Sequence, residues 1–183
     1  DFSGSGVEAG SNHGTAVAEV VYDMAPEAKL YLLKINDEVA LGNAKDYCKA
    51  QGIKIINHSV GWFNTGPGDG TGVVCDIAND AKNNGILWVN SAGNEAERHW
   101  QDMFTTTLLD GTYQASDGHT YRMHEFIAGN VESNSLSITA GAGETIQLYM
   151  RWNNWPTANK SYFLFLYDKD PVNDDTAEIV ASA

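Results

Sequence analysis

Three short stretches of this chain hold residue types and spacings suited to chemistry. The first is His13-Gly14-Thr15-Ala16-Val17-Ala18, a histidine that opens an apolar helical pattern. A neutral imidazole at the positive end of a helix can accept a proton, as a general base must. Gly14 leaves room for another backbone, and the Thr15 hydroxyl can serve a free N–H of the first turn. The second is Ser91-Ala92-Gly93-Asn94, directly after an apolar run. An asparagine amide at a strand end can donate to a developing oxyanion. The third is Asn57-His58-Ser59-Val60-Gly61, where small residues leave room for an extended peptide to pair with the backbone. Each has an ordinary structural alternative: a polar helix cap, a Gly-Asn turn and a plain strand exit.

The elements that position these residues are legible in the pattern around them. Lys29–Ile35 reads as a strand, and Asn43–Gln51 as a short helix closed by Gly52. Ile53–Val60 is rich in β-formers. Gly72–Asn84 has helical spacing at Val73, Val74, Ile77, Ala78 and Ala81, with Gly85 as its stop, and Ile86–Asn90 is the next strand. The order helix, glycine, strand occurs twice, as KAQGIKIINHSVG and KNNGILWVNSAGN. That alternation predicts an α/β fold with a parallel sheet and right-handed crossovers. Ligands in such sheets collect at the carboxyl ends of the strands, where Ser59-Val60-Gly61 and Ser91-Ala92-Gly93-Asn94 fall.

From about Glu97 the texture changes to Thr, Tyr and Phe, without long helical patterns. Thr145–Trp152 alternates, with Ile146, Leu148, Met150 and Trp152 on one face, as a half-buried strand does. Ser161–Tyr167 reads as a central strand. Phe104–Leu109, Tyr121–Ile127, Ser135–Thr139 and Ala177–Ser182 complete the set, separated by turns such as Asp110-Gly111 and Gly129-Asn130. Short strands at this spacing predict an antiparallel sandwich or jelly roll. The expected organisation is therefore a parallel-sheet α/β part over residues 1–96 and a β-sandwich-like module over residues 97–183.

Taken together, HGTAVAEVVYDMAPEAKLYLLKI, INHSVGW and ILWVNSAGNEA resemble, in that order, the subtilisin-like serine proteases, or subtilases. The resemblance spans roughly His13 to Ala96, about half the chain. It implies that His13 is the catalytic histidine and that Asn94 supplies the side-chain oxyanion donor. Ser59, Val60 and Gly61 match one wall of the substrate cleft, and Ser91, Ala92 and Gly93, which lead into the oxyanion asparagine, are expected to bind substrate with them. The implied partner is a peptide or protein substrate, hydrolysed by a serine endopeptidase.

Three departures from the family pattern stand out. Glu19 occupies a position usually held by glycine. Asp1 lies only twelve positions before His13 with no strand ahead of it, so the triad aspartate is expected upstream of residue 1. The family's Gly-Thr-Ser block, which carries the nucleophile, is missing; Gly70-Thr71-Gly72 has no serine and precedes the asparagine. The 183 residues alone are accordingly expected to be inactive, and residues 97–183 read as an insertion ahead of a missing serine. Two rival readings are a binding protein on a degenerate protease scaffold and a surface-binding β-module.

Composition narrows the partners. Eleven Lys and Arg against 24 Asp and Glu leave a net charge of −13, which argues against nucleic acid. No apolar run reaches the length of a membrane span. Such charge favours solubility, and a secreted or cell-surface location is expected. The Gly- and Ser-rich start, Asp1 to Ser11, reads as a loop within a longer chain. Cys48 and Cys75 are the only cysteines and read either as free thiols or as a disulfide between neighbouring helices. No cofactor and no metal site is expected. Asp168, Asp170, Asp174 and Asp175 invite calcium but lack EF-hand spacing. His119, His124 and Glu125 invite zinc but lack the H-E-x-x-H order. Trp152, Trp155 and Tyr162 suit either core packing or stacking on sugars.

Overall fold

The computed structural model describes residues 1–8, 10–95, 98–105, 112–114, 120–127, 135–154, 156–171 and 176–183. Two compact units form, Asp1–Asn94 with Arg151–Pro156, and Glu95–Met150 with Thr157–Ala183. The first unit carries helices α1 (His13–Met24), α2 (Glu38–Ala50) and α3 (Val73–Asn83) and strands β1 (Ile55–His58) and β2 (Leu87–Asn90). The second carries β3 (Thr112–Gln114), β4 (Thr120–Arg122), β5 (Phe165–Tyr167) and β6 (Ile179–Ser182).

The repeated helix, glycine, strand unit has a common local cause. Gly52 (φ 67°) and Gly85 (φ 75°) take the left-handed conformation just past α2 and α3. The next residue then turns its N–H back five positions, Ile53 to Cys48 O and Ile86 to Ala81 O, each at 3.0 Å. This satisfies helix-end carbonyls and aims the chain into a strand. At the other end of α2 the Asp37 carboxylate accepts from Ala40 N at 2.7 Å, an N-cap that starts the helix five residues before the expected Asn43.

Both strands run parallel, with Ile55, Ile56, Asn57 and His58 opposite Leu87, Trp88, Val89 and Asn90. Helix α3 makes the crossover between them. Ala40, Leu41, Ala44 and Cys48 form the buried stripe of α2. Cys48, Ala81 and Ile86 pack with Leu33, Ile53, Ile56 and Trp88 as the core under the sheet. Outside that core, Lys45 and Lys49 of α2 clamp Asp80 of α3 at 2.6 and 3.0 Å.

Several expected strands have no ladder. Lys29–Ile35 is non-helical and unpaired as a strand; its tie is Phe2 N to Lys34 O at 2.9 Å, with the Lys34 ammonium donating to Ser5 Oγ and Gly6 O. A strand exists only where a neighbour completes its hydrogen bonds, and none does so among the described residues. The same holds for Ser135–Thr139 and Thr145–Trp152. The alternation in the latter buries no face, because Ile146 and Leu148 stay exposed. Of the expected strand at Phe104–Leu109, residues 104–105 are not in a ladder and 106–109 lie outside the described residues.

In the second unit the expected strands at Ser161–Tyr167 and Ala177–Ser182 shorten to β5 and β6, that at Tyr121–Ile127 gives only β4, which starts at Thr120, and β3 forms where no strand was expected. β3 pairs with β4 and β5 with β6, both antiparallel, the latter with an irregularity at Leu166/Tyr167. Trp100, Phe104, His124 and Phe126 pack ring on ring, and Tyr162 lies 4.9 Å from Phe104. Glu125 is buried beside them.

The clamp on Asp80 makes stability depend on pH. Its hydrogen bonds from Lys45 and then Lys49 hold the carboxyl below its ordinary range. A carboxylate depressed on folding stabilises above its unfolded pKa and loses that contribution as pH falls through the folded value. Asp80→Asn should therefore be less stable than the parent at neutral pH. The gap in urea midpoints should close as pH drops below about 4, and added salt should narrow it because the pair is solvent-accessible.

Candidate functional site

His13 is the first residue of α1, after the N-cap position Asn12, whose side chain makes no capping bond. Ser11 Oγ accepts from His13 N at 3.1 Å instead, a role the sequence reading gave to Thr15. The pattern of a serine two residues ahead of the helix start carried that signal. No atom outside its chain neighbours and helix comes within 4 Å of where a Cβ on Gly14 would sit, so the expected close backbone approach is not made among the described residues.

The imidazole reaches across to the sheet. His13 Nε2 lies 2.9 Å from Ser59 O, joining residues 46 positions apart. A carbonyl only accepts, so Nε2 carries the proton and donates it. The ring therefore sits against the carboxyl end of β1, where strand-end chemistry was expected. Val17 and Val21, one and two turns along the same helix, flank this contact over a shallow groove that Asn57 and Ser59 complete.

Parallel pairing brings the two strand-end segments side by side. Ser91 N donates to His58 O at 3.3 Å, one step beyond the last ladder pair. Asn57 Nδ2 donates to Ser59 Oγ at 3.2 Å. Val60 and Gly61 follow as exposed chain, as do Ser91, Ala92, Gly93 and Asn94. Gly93 adopts φ 89°, a left-handed conformation that turns the chain just before Asn94.

A buried polar cluster beneath these ends escaped the sequence reading. His58, only 5% exposed, has Trp62 and Asn90 as hydrogen-bond partners, and Trp88 shares Asn90. The signal was present: a histidine closing an apolar strand, with tryptophans at 62 and 88.

Other candidates have structural work of their own. The Asp1 carboxylate accepts from Ser3 N, Ser3 Oγ and Gly6 N, closing an N-terminal turn. Asp168 Oδ1 accepts from Glu178 N beside the β5–β6 pair, and Asp170 accepts from Ser135 Oγ. Asp174, Asp175, His119 and Trp155 lie outside the described residues. His124 Nδ1 meets the Thr105 backbone at 3.1 and 3.2 Å. Among the described residues no three His, Cys, Asp or Glu are grouped to hold a metal. Cys48 and Cys75 are both free, which removes the disulfide reading. Burial pushes the Cys48 thiol up, away from the reactive thiolate.

The first unit is thus an α/β unit with a histidine at a helix start set against the end of a parallel strand. The subtilase family model matches residues 2–155 of the 183, and the chain belongs to the subtilase family. No curated protein and no solved structure matches the chain. The described residues contain no helix long and apolar enough to cross a membrane.

The turn at Gly93 can be tested by itself. Gly93→Ala places a Cβ in the left-handed region at a cost of about 1–2 kcal/mol. The denaturant midpoint should fall by the corresponding amount, whereas Ala92→Gly should shift it by less.

Proposed function

We propose that the chain is part of the catalytic domain of a secreted or cell-surface serine endopeptidase. His13 acts as its general base and Asn94 as its side-chain oxyanion donor. Ser59, Val60 and Gly61 form the edge that pairs with an extended peptide, and Ser91, Ala92 and Gly93 line the approach to Asn94. The observation that carries this reading is the His13 to Ser59 contact at 2.9 Å, within residues that match the subtilase family.

In this reading the nucleophilic serine and the triad aspartate come from chain outside these 183 residues. The tautomer of His13 supports that division of labour. With Nε2 donating to Ser59 O, the ring has no lone pair at the nitrogen that must take the serine proton. An aspartate that accepts from Nδ1–H shifts the proton to Nδ1 and frees Nε2. Nε2 then deprotonates the serine as it attacks the scissile carbonyl and returns the proton to the leaving amine. Asn94 donates to the oxyanion formed between these steps. Residues 97–183 are an inserted β-sandwich-like module, with β3–β4 and β5–β6 as parts of its antiparallel sheets.

A fluorophosphonate probe, which labels activated serines, tests the proposal. The full-length protein should be labelled, the 183-residue chain should not, and full-length His13→Ala should lose labelling together with about 10⁶-fold in kcat, the scale known for subtilisin. Asn94→Ala should lower kcat about a hundred- to thousandfold with little change in KM, again the scale of subtilisin's own oxyanion asparagine. Absence of labelling in folded, propeptide-free full-length protein would favour the binding-only scaffold instead.

A further inference from the structure

The buried cluster under the strand ends closes in only one way. An indole N–H donates and cannot accept. Trp62 Nε1 lies 3.2 Å from His58 Nε2, so Nε2 is an acceptor without a proton. The ring is then neutral with its proton on Nδ1, which donates to Asn90 Oδ1 at 2.5 Å. Trp88 Nε1, 3.4 Å from the same oxygen, requires an acceptor there and fixes the orientation of the Asn90 amide. Asn90 Nδ2 is left facing Ser91 O at 2.7 Å, where a donor is needed. Both imidazole nitrogens are satisfied at a site where an unpaired polar group is costly.

The position of this cluster matters more than its burial. His58 and Asn90 are the last pair of the β1–β2 ladder, so their side-chain bond continues across the pair what the backbone bonds do along it. Ser59, whose carbonyl receives His13 Nε2, follows His58 directly. Ser91, whose carbonyl receives the Asn90 amide, follows Asn90 and leads to Asn94. A single brace thus sits one residue before each of the two segments that carry chemistry.

We infer that His58 is a positioning residue: held as the Nδ1–H tautomer between Trp62 and Asn90, it locks the carboxyl ends of β1 and β2 and so places the Ser59 segment beside the His13 ring. Its effect on turnover rests on the peptidase reading; the brace itself does not. Its consequence is a requirement for hydrogen-bond pattern, not for bulk. Asparagine places an amide donor near Nδ1 and keeps the bond to Asn90. Leucine keeps comparable volume but supplies no donor. Trp62→Phe keeps the ring and removes only the donor to Nε2.

The test is two-bond ¹H–¹⁵N NMR on the protein labelled in histidine at neutral pH, with His58 and His13 assigned by substitution. His58 should show the Nδ1–H pattern, and Trp62→Phe should let the Nε2–H form appear. In the 183-residue chain the His13 Nε2–H signal should persist in His58→Asn and shift or vanish in His58→Leu. In the full-length protein, His58→Leu should lose about tenfold or more in kcat with KM nearly unchanged, since misplacement by an ångström costs up to about 10². His58→Asn should recover most of that loss. An Nε2–H or doubly protonated His58 overturns the brace. An unmoved His13 signal in folded His58→Leu overturns the positioning role. If the full-length protein has no turnover, the peptidase reading fails alone, and the two NMR results still decide the inference.

Discussion

The four-residue parallel ladder between β1 and β2 governs the placement of both strand-end segments suited to chemistry in the first unit. Parallel strands cannot be joined by a tight turn, so the chain must leave the sheet and return through a helix. α3 makes that return, and its buried Ala81 packs against Cys48 of α2 and Ile86 at the start of the second strand. Because both strands then run the same way, both exits fall on the same edge. Ser59–Gly61 and Ser91–Asn94 become neighbours although 29 residues, α3 and β2 among them, separate the two segments in sequence. A one-residue slip would reverse which side chains face the core and would separate His58 from Asn90.

The ladder is short, and its strength is supplemented at both ends. At the amino end, two helix stops with left-handed glycines aim Ile53 and Ile86 into the sheet. At the carboxyl end, the His58–Asn90 bond and the two indole donors prolong the pairing through side chains. Between these ends the core is small, built from Ala81, Cys48 and Ile86 with a few larger apolar groups packed against them. The Asp80 clamp adds a charge-assisted tie between α2 and α3, at a solvent-accessible position where its contribution is modest.

α1 is positioned differently. No residue of it is buried, and Val20, Tyr22 and Met24 face solvent. Its link to the sheet is the imidazole contact with Ser59 O, together with the half-buried Val17 and Val21. An apolar helix with so little packing gains little from burial, which is why a larger catalytic domain around it belongs to the proposed function. The same division explains the histidine's proton. A carbonyl can hold the ring only through Nε2–H, whereas base catalysis needs that nitrogen free.

Local patterns were decisive where a residue's conformation depends on its immediate neighbours. The apolar spacing of α3, the left-handed glycines at 52 and 85, the β-rich runs at Ile53–Val60 and Ile86–Asn90, and a helix opening at His13 all follow from backbone preference and periodicity within a few residues. The parallel pairing followed too, because two strands each preceded by a helix permit few other arrangements. Lys29–Ile35 and Thr145–Trp152 carried equally good strand patterns, yet neither forms a ladder among the described residues. A strand is a relation between two segments, and alternation in one cannot show that the other arrives. The tertiary structure alone decided that Asp1 closes a turn, that both cysteines stay free, that His13 finds Ser59, and that His58 lies buried between two indoles and an amide. The Asp1 turn and the Trp62 bond are local, but the His13–Ser59 and His58–Asn90 contacts span 46 and 32 positions, and only the folded chain brings such residues within hydrogen-bonding distance.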